Sequence, residues 1–360
     1  MSKSLTQRTA CALVLCLAFA GTAFAQTYVY QSQFGTSGTG NGQFNAPEGV
    51  AIDPVSRNVL VTDTFNHRIQ VFSSGLAYLS QFGSPGTGNG QFQYPTAVLV
   101  HPSTHNIIVA DGNNNRVEIF DSSGNYLSQF GSSGSGPGQF ITTDNLAVDP
   151  VNGDILVADA NNNHVQRFTS SGAFVSLFGA TGTGNGQFLS PGGIGVDPVT
   201  RNIVVADRRN NRVQVFDSNG NYLSQFGSAG TGNGQFDWPY GIAIDPATRN
   251  IVVTEGHNNP RVQIFDSNGN YLSQFGSAGS SNGQFNVPMK VAIDPVSHDI
   301  FVADLYNNRV QVFAPAGATP PAAMSVPTLS EWALLALSGL LGALGLALHA
   351  RARRTDPPLL

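Results

Sequence analysis

Short runs of β-branched and aromatic residues alternate with polar turn residues along most of the chain. In the middle of the chain these runs are 193–196, 202–205, 212–216 and 222–226. An Asp-Pro pair follows the first run, and an Asp-Ser-Asn-Gly segment follows the third. Short apolar runs bounded by such turn residues predict β-strands joined by tight hairpins.

The set of four runs recurs with a fixed period. The string GQF begins at Gly42, Gly90, Gly138, Gly186, Gly234 and Gly283, and its copies are 48 residues apart except for the last, which is 49. The additional residue in the fifth copy is Pro260. Four strands in a repeat of this length are typical of one blade of a β-propeller.

The phase of the repeats predicts how the ring closes. A single run at 28–34 precedes the first copy, while the last copy ends at Phe313 without a fourth run. Pairing these two segments would satisfy backbone groups that an open ring exposes. The sequence therefore predicts an all-β protein. Residues 26–313 would form a six-bladed β-propeller with four strands per blade, and the N-terminal strand would complete the last blade.

Residues 1–25 have the three parts of a secretory signal peptide. They begin with Lys3 and Arg8, continue with an apolar stretch at 10–20 and end with Ala-Phe-Ala. We expect signal peptidase to cleave before Gln26. Both cysteines lie in this segment, so the mature chain is expected to have no disulfide chemistry.

The other end of the chain predicts a membrane anchor. A Pro/Ala-rich linker at 314–325 leads into segment 326–360, which contains an uncharged apolar stretch at 332–350. Nineteen helical residues would span about 28 Å, enough to cross a bilayer core. The arginines that follow predict a transmembrane helix with a cytoplasmic C-terminus, which places the propeller outside the cytoplasm. A buried core helix is the alternative interpretation.

A short motif precedes the apolar stretch: Pro327, Thr328, Leu329, Ser330, Glu331 and Trp332. Together with the apolar stretch and the terminal arginines, it resembles the bacterial IPTL-CTERM sorting tail. The resemblance implies recognition by an exosortase-like membrane enzyme during export to the cell surface. It also implies cleavage of the tail, so that the protein would be either membrane-anchored, attached to the surface or released.

The repeat itself resembles the NHL family. Each copy approximates P-x-G-V-A-V-D-P, then I-x-V-A-D, N-N-R-V-Q-V-F and G-x-x-L-x-x-F-G. In the first copy the matches include Pro47, Asp63, Asn66 and Arg68, and the last copy ends on the same pattern. The resemblance implies a six-bladed propeller that serves mainly as a binding platform.

Opposite charges recur five residues apart across one predicted hairpin loop of the blade. The pairs are Asp63 with Arg68, Asp207 with Arg212, and Asp304 with Arg309. Catalytic carboxylates rarely recur in every blade, so we interpret these residues as structural ion pairs. Removing one partner of a desolvated pair should cost about 3 kcal/mol, and far less if the pair is exposed. His164 replaces the arginine in the third copy, and Glu255 replaces the aspartate in the fifth.

Two other motifs resemble ligand sites without completing them. The GTGNG segments lack the GK[ST] ending of a phosphate loop, so flexible links between blades are expected. The Asn-rich segments that begin at Asp111 and Asp159 resemble half of a calcium loop but lack its glutamate. Turns in which each Asp accepts local backbone hydrogen bonds are expected instead. We predict no catalytic residues, no metal ligands and no cofactor, although a ring could still assemble a metal site at its channel.

Positions that differ among near-identical copies indicate a candidate ligand-binding face. They lie just before the first strand and in the loop after the second strand, which should share one face. Aromatic and arginine side chains often dominate binding surfaces. The predicted ligand-binding residues are Glu48, Phe65, Arg208, Arg209, Tyr240, His257, Lys290 and Tyr306. Neutral variation at exposed loop tips is the alternative explanation.

Composition and charge narrow the function. Hydrophobic residues make up 41% of the chain, which excludes a disordered protein, and the 41 glycines do not recur at every third position as in collagen. Without its two ends, the propeller has 12 basic and 20 acidic residues, a net charge of about −8. Such a surface is poorly suited to phosphate backbones, so no nucleic-acid partner is expected.

These observations predict an exported, cell-surface or envelope-associated propeller that binds a protein or glycan ligand without catalysis. The alternative is a metal-dependent hydrolase or lyase, since enzymes of both kinds occur among related six-bladed propellers. A structural role in a surface matrix is a third possibility.

Overall fold

The computed structural model describes residues 27–317 as a ring of six four-stranded antiparallel sheets. The six-bladed propeller with four strands per blade is therefore confirmed. The predicted signal peptide, the rest of the predicted linker, the sorting motif and the predicted membrane span at 332–350 lie outside the described residues. Within residues 27–317, no helix has the length and apolar character needed to cross a membrane.

Every blade has four strands, which are numbered from the central axis outwards. Blades 1 and 2 comprise Pro47–Ile52, Val59–Asp63, Arg68–Phe72 and Tyr78–Phe82, then Pro95–Val100, Ile107–Asp111, Arg116–Phe120 and Tyr126–Phe130. Blades 3 and 4 comprise Thr143–Val148, Ile155–Asp159, His164–Phe168 and Phe174–Phe178, then Pro191–Val196, Ile203–Asp207, Arg212–Phe216 and Tyr222–Phe226. Blades 5 and 6 comprise Pro239–Ile244, Ile251–Glu255, Arg261–Phe265 and Tyr271–Phe275, then Pro288–Ile293, Ile300–Asp304, Arg309–Pro315 and Tyr28–Phe34.

The N-terminal strand completes blade 6, as the repeat phase predicted. It pairs antiparallel with Arg309–Pro315, and its register joins Tyr30 to Phe313 and Phe34 to Val310. The third strand of blade 6 runs to Pro315, two residues past the predicted end of the propeller. It is longer because the closing strand has seven residues and Tyr28 pairs with Pro315.

The inner strands of blade 4 differ at their ends from the runs that the sequence predicted. The first strand begins at Pro191, two residues earlier, and the second strand ends at Asp207, two residues later. Pro191 pairs with Asp207, and Asp207 pairs in turn with Arg212. Strand pairing therefore extends to Asp207, the residue that precedes the loop. The apolar run in the sequence did not indicate this extension.

The core consists of six similar clusters, each formed between neighbouring blades, and a smaller seventh cluster of Ala46, Met289 and Leu305. Two phenylalanines per repeat are almost fully buried, one in GQF and one at the end of the apolar part of the third strand. The phenylalanine that ends the fourth strand of one blade packs against the two buried phenylalanines of the next repeat. At the closure, Phe34 lies 4.7 Å from Phe72 and 6.1 Å from Phe44, measured between ring centroids. The ring is therefore closed both by strand pairing within blade 6 and by packing of blade 6 against blade 1.

The two faces of the ring have different loops. First strands begin and second strands end on one face, which we call the upper face and which also carries the GTGNG connections. Four of its loops contain short 3-10 helices: Thr64–Asn66, Gly112–Asn114, Arg208–Asn210 and Leu305–Asn307. The Asp-Pro turns and the third-to-fourth-strand hairpins lie on the opposite, lower face. The candidate ligand-binding residues belong to the upper face.

A ring of polar contacts between blades lies on the lower face. An arginine or histidine in one Asp-Pro turn contacts the aspartate that begins the turn of the preceding blade. Five of these contacts are Arg57–Asp294, His105–Asp53, Arg201–Asp149, Arg249–Asp197 and His298–Asp245, with separations of 2.6–3.4 Å. The sixth contact joins His101 to the carbonyl of Gly153 at 3.3 Å. These contacts were not among our expectations from the sequence, although the recurring Asp-Pro-x-x-Arg spacing could have indicated them.

Replacing Phe34 with Ala should destabilise the ring because its side chain packs on two phenylalanines of blade 1. We expect the free energy of unfolding, measured by chemical denaturation, to fall by about 3 kcal/mol. Val29→Ala in the same strand is the control, because Val29 is half exposed, and it should change stability little. Equal effects of the two substitutions would show that packing at the closure does not stabilise the ring.

Candidate functional site

A buried carboxylate at the end of the second strand organises the upper side of each blade. In blade 4, Oδ2 of Asp207 accepts hydrogen bonds from Arg212 Nε at 2.8 Å and Asn210 Nδ2 at 2.8 Å. Gln214 Nε2 donates to the same oxygen at 3.1 Å, and the Leu189 amide donates to Oδ1 at 2.8 Å. The Asp207 side chain is fully buried. Its negative charge is thus compensated by one guanidinium and three further donors, as a buried charge requires.

The same side chains fasten the connection that enters the blade. Arg212 Nη2 donates to the carbonyls of Gly184 and Gln187, and Asn210 donates to the carbonyl of Gly182. Gln214 donates to Gln187 and accepts from the amide of Gly186. The expectation that GTGNG segments form flexible links is therefore wrong, because side chains of the third strand and its loop bind their backbone groups.

The predicted ion pairs of blades 1 and 6 have the same geometry as that of blade 4. Arg68 lies 2.7 Å from Asp63, and Arg309 lies 2.8 Å from Asp304. In blade 3, His164 lies 3.5 Å from Asp159. In blade 5, Arg261 donates to Glu255, whose longer side chain accompanies the loop lengthened by Pro260.

The Asp111 segment is also part of this arrangement. Asp111 accepts from the Gln93 amide at 2.7 Å, from Asn114 at 2.7 Å and from Arg116 at 2.9 Å. Asp159 likewise accepts from the amides of Ile141 and Thr142. The expected local backbone hydrogen bonds are thus incorrect, since the backbone amides that donate to these carboxylates lie 17 or 18 residues away.

Charged residues from different blades meet where the upper face reaches the central axis. Lys290 extends from blade 6 across the axis, and its Nζ donates to the carbonyl of Thr96 in blade 2 at 2.8 Å. The same nitrogen lies 3.3 Å from Asp144 Oδ1 and 3.9 Å from Glu48 Oε2. Lys290 is 6% exposed. We call Glu48, Asp144, Arg208, Tyr240 and Lys290 the axial cluster.

Lys290 occupies a position at which two other blades have glycine because their first strands pack closely. The equivalent residues in blades 4 and 5 are Gly193 and Gly241. A Cβ added at Gly193 would lie 2.5 Å from the Ile242 amide nitrogen, so the backbone of the next blade leaves no room for a side chain. Blade 6 has Lys290 at this position, and its side chain lies in the channel. The lysine therefore closes the upper end of a channel lined otherwise mainly by aliphatic residues.

Arg208 completes the axial cluster. Its Nη1 lies 3.4 Å from Asp144 Oδ2, its Nη2 donates to the Ser190 hydroxyl, and its guanidinium lies 5.1 Å from the centroid of the Tyr240 ring. Asp144 thus contacts two cations from different blades. Of the predicted ligand-binding residues, Glu48, Arg208, Tyr240 and Lys290 come together here, largely engaged with one another.

Within the axial cluster, the pKa of the Glu48 carboxyl lies well above its ordinary value. The pKa of the Glu48 carboxyl is raised from 4.5 to about 7, mainly by burial and in smaller part by nearby Asp144, against the opposing charges of Lys290 and Arg208. Burial also raises the pKa of Tyr240. The axial cluster therefore contains a carboxyl group that titrates close to neutral pH.

The other four predicted residues lie on exposed loops around the axial cluster. Tyr306 is 60% exposed and Phe65 is 49% exposed, and Arg209 and His257 are exposed as well. The Phe65 ring lies 5.4 Å from Tyr94. Because these four side chains are exposed, a partner can contact them without a rearrangement of the fold. We call Phe65, Arg209, His257 and Tyr306 the exposed rim.

Two aromatic residues beside the exposed rim were missed. Trp238 stacks on His257 with a centroid distance of 4.7 Å, and the Arg209 guanidinium lies 5.9 Å from the Trp238 ring. Tyr94 and Trp238 occupy the same place in their repeats, with φ of 55° and 60°. The copies differ at this position too, so comparison of the repeats could have identified it.

The channel opens on the lower face into an apolar cavity of about 350 Å³. Each blade contributes one or more aliphatic side chains and a proline to the lining. The proline belongs to the Asp-Pro turn in five blades and to the His101-Pro102 turn in blade 2. Within residues 27–317, no group of three or more histidine, cysteine or acidic residues has an arrangement that could hold a metal ion. The axial cluster brings two carboxylates together, and the Lys290 ammonium lies between them and the Thr96 carbonyl.

The raised pKa of Glu48 predicts a pH dependence of stability. A carboxyl whose pKa is higher in the folded state stabilises the fold fully below its ordinary pKa of 4.5, and this contribution is lost as the pH rises through 7. Glu48→Gln, which resembles the protonated side chain, should therefore gain up to about 3 kcal/mol relative to wild type between these limits. Denaturant unfolding of both proteins across this pH range measures the effect. A constant difference at every pH would contradict the assigned shift.

Comparison with family models agrees with this architecture. NHL repeat models match residues 44–72, 188–216 and 285–313, and a model described as 6-bladed beta-propeller matches residues 98–165. The IPTL-CTERM motif model matches residues 324–354.

Similar proteins share the fold or a short part of the sequence. A 47-residue segment is 45% identical to Protein brain tumor of Drosophila melanogaster, covering 13% of this chain and 4% of the fly protein. A protein of unknown function from Bacteroides thetaiotaomicron aligns with a TM-score of 0.60 and 18% identity over 79% of this chain and 76% of its own. A gluconolactonase from Xanthomonas campestris aligns with a TM-score of 0.57 and 13% identity over 80% of this chain and 97% of its own.

At these identities the structural likeness shows the fold alone. The repeats, the ring closure and the matched family models lead to one conclusion. The chain is a six-bladed β-propeller that contains NHL repeats, and it carries an IPTL-CTERM motif near its C-terminus.

Proposed function

We propose that this protein is an exported, surface- or envelope-associated propeller that binds a protein or glycan ligand on its upper face without catalysis. The observation that carries the proposal is the position of Lys290. Its ammonium group occupies the axis between Glu48, Asp144 and the Thr96 carbonyl. An ammonium group of the protein itself therefore lies against both carboxylates that meet at the axis.

The exposed rim supplies the contacts for such a ligand. Phe65 and Tyr306 present aromatic surface, while Arg209 and His257 add hydrogen-bond donors at the same face. Aromatic and arginine side chains supply most of the binding energy in many interfaces. Because Arg208 and Tyr240 are largely engaged in the axial cluster, we assign them a supporting role beneath the binding surface.

The ends of the chain support export. An IPTL-CTERM motif implies processing by an exosortase-type enzyme, and it suggests export with surface or membrane attachment. The predicted signal peptide at 1–25 and the apolar stretch at 332–350 fit the same route. We infer that the propeller lies outside the cytoplasm, anchored before tail processing and attached or released afterwards.

A hydrolase is the second candidate. It is favoured by the structural likeness to a gluconolactonase and by the Glu48 carboxyl, whose pKa of about 7 suits proton transfer. Metal analysis of the purified chain and an assay with gluconolactone distinguish the two. One bound divalent cation per chain together with turnover would favour the hydrolase over the binding protein.

The binding proposal predicts that exposed-rim residues, and not those of the lower face, determine ligand capture. The triple variant Phe65→Ala, Arg209→Ala, Tyr306→Ala should weaken capture of a protein or polysaccharide from cell-envelope fractions by at least about tenfold. Binding of the full chain to the captured component can be measured by surface plasmon resonance.

The matched control is the triple variant Val55→Ala, Val199→Ala, Val296→Ala. These valines are 64–73% exposed on the lower face, and their loss should leave binding unchanged. If the control weakens binding as much as the rim variant, the ligand does not use the upper face.

A further inference from the structure

The outermost strand of every blade lies at the edge of its sheet and has an unusual composition. The fourth strands of blades 1, 2, 4 and 5 have the same sequence, YLSQF, and those of blades 3 and 6 are FVSLF and YVYQSQF. Each is the last strand of its sheet. None of these six strands contains a charged residue or a proline.

This composition departs from the usual protection of sheet edges. Proteins normally place lysine, other charges or proline on exposed edges, because a free edge can pair with a strand of another molecule. In the YLSQF strands the second residue has an aliphatic side chain instead. Leu79, Leu127 and Leu223 are 50–52% exposed. The edges of blades 1, 2 and 4 therefore lack the features that prevent pairing.

The distribution of charge favours approach of two molecules side by side. The described residues carry a net charge of about −8, and every charged side chain among them lies outside the six outer strands. Two copies that approach face to face would bring like-charged loops together, which is unfavourable. Contact through the outer strands avoids that repulsion and covers the exposed leucines.

The edge sequence is complementary to itself in the antiparallel direction. If two YLSQF strands pair about Ser80, Tyr78 lies opposite Phe82, Leu79 lies opposite Gln81, and Ser80 lies opposite its own copy. Such a contact has two-fold symmetry, as in most homodimer interfaces. It would join two blades into one eight-stranded sheet.

We propose that the outer strands of blades 1, 2 and 4 are self-association sites that pair edge to edge with a second copy of this chain. A single five-residue contact buries little area and is weak alone. Equivalent edges at several places around the ring allow one molecule to contact several neighbours, and such contacts strengthen one another when molecules are held on a surface. The result is a lateral layer of propellers with both faces free, which does not depend on the ligand of the upper face.

The absence of cysteine from the described residues permits a sharp test. In a full chain carrying Cys11→Ala and Cys16→Ala, Ser80→Cys places one thiol at the centre of the proposed contact. Opposed thiols in this register can form a disulfide between copies. We expect mild oxidation of cells that export the variant to give a dimer on non-reducing gels.

Leu79→Cys in the same background is the matched control. It lies on the same exposed edge, but in the proposed register the Cα atoms of the two substituted residues are farther apart than a disulfide allows. We expect Ser80→Cys to crosslink at least about tenfold faster than Leu79→Cys. Ser224→Cys in blade 4 should behave like Ser80→Cys.

Adding a charge beside the contact provides a second variant. Leu79→Lys combined with Ser80→Cys should slow crosslinking, because lysine on an edge opposes strand pairing. Equal crosslinking rates for Ser80→Cys and Leu79→Cys would show random collision and overturn the proposal. So would the absence of a dimer for both Ser80→Cys and Ser224→Cys in exported, folded protein.

Discussion

The buried carboxylate at the end of each second strand is the interaction on which the rest of the structure depends. An aspartate such as Asp207 cannot remain ionised in the interior unless several donors surround it. The third strand supplies two of them, Arg212 and Gln214, and the loop supplies Asn210. The same side chains then bind the carbonyls of the glycine-rich connection. One charge thereby fixes the loop, the third strand and the entry to the blade.

This arrangement separates the framework from the binding surface. The carboxylate recurs in all six blades with most of its donors, whereas the neighbouring loop positions vary among the blades. Phe65, Arg209 and Tyr306 can therefore vary without removing a buried hydrogen bond. The axial cluster is an intermediate case, since its residues differ between blades but neutralise one another. On the opposite face, ion pairs such as Arg201–Asp149 hold neighbouring blades together.

Much of the fold could be predicted because the sequence patterns that determine it are short and recur in every repeat. The period of 48 residues, the four apolar runs and the lone strand at 28–34 together predicted the ring and its closure. The contacts across the axis could not be predicted in this way. Lys290 and Thr96 are 194 residues apart, and neither lies in a motif that indicates the other. The glycine-rich connections were misjudged because their donors belong to side chains about 28 residues later.

The central claim is that the buried carboxylates hold the blades together, and unfolding of Asp207→Asn tests it most directly. Asp217→Asn is the matched control, since Asp217 makes similar hydrogen bonds in an exposed turn. We predict that Asp207→Asn lowers the free energy of unfolding by about 3 kcal/mol or more, because Arg212 is left buried without its partner. The control should change little. If the two substitutions had the same effect, the buried carboxylate would not be what secures the blade.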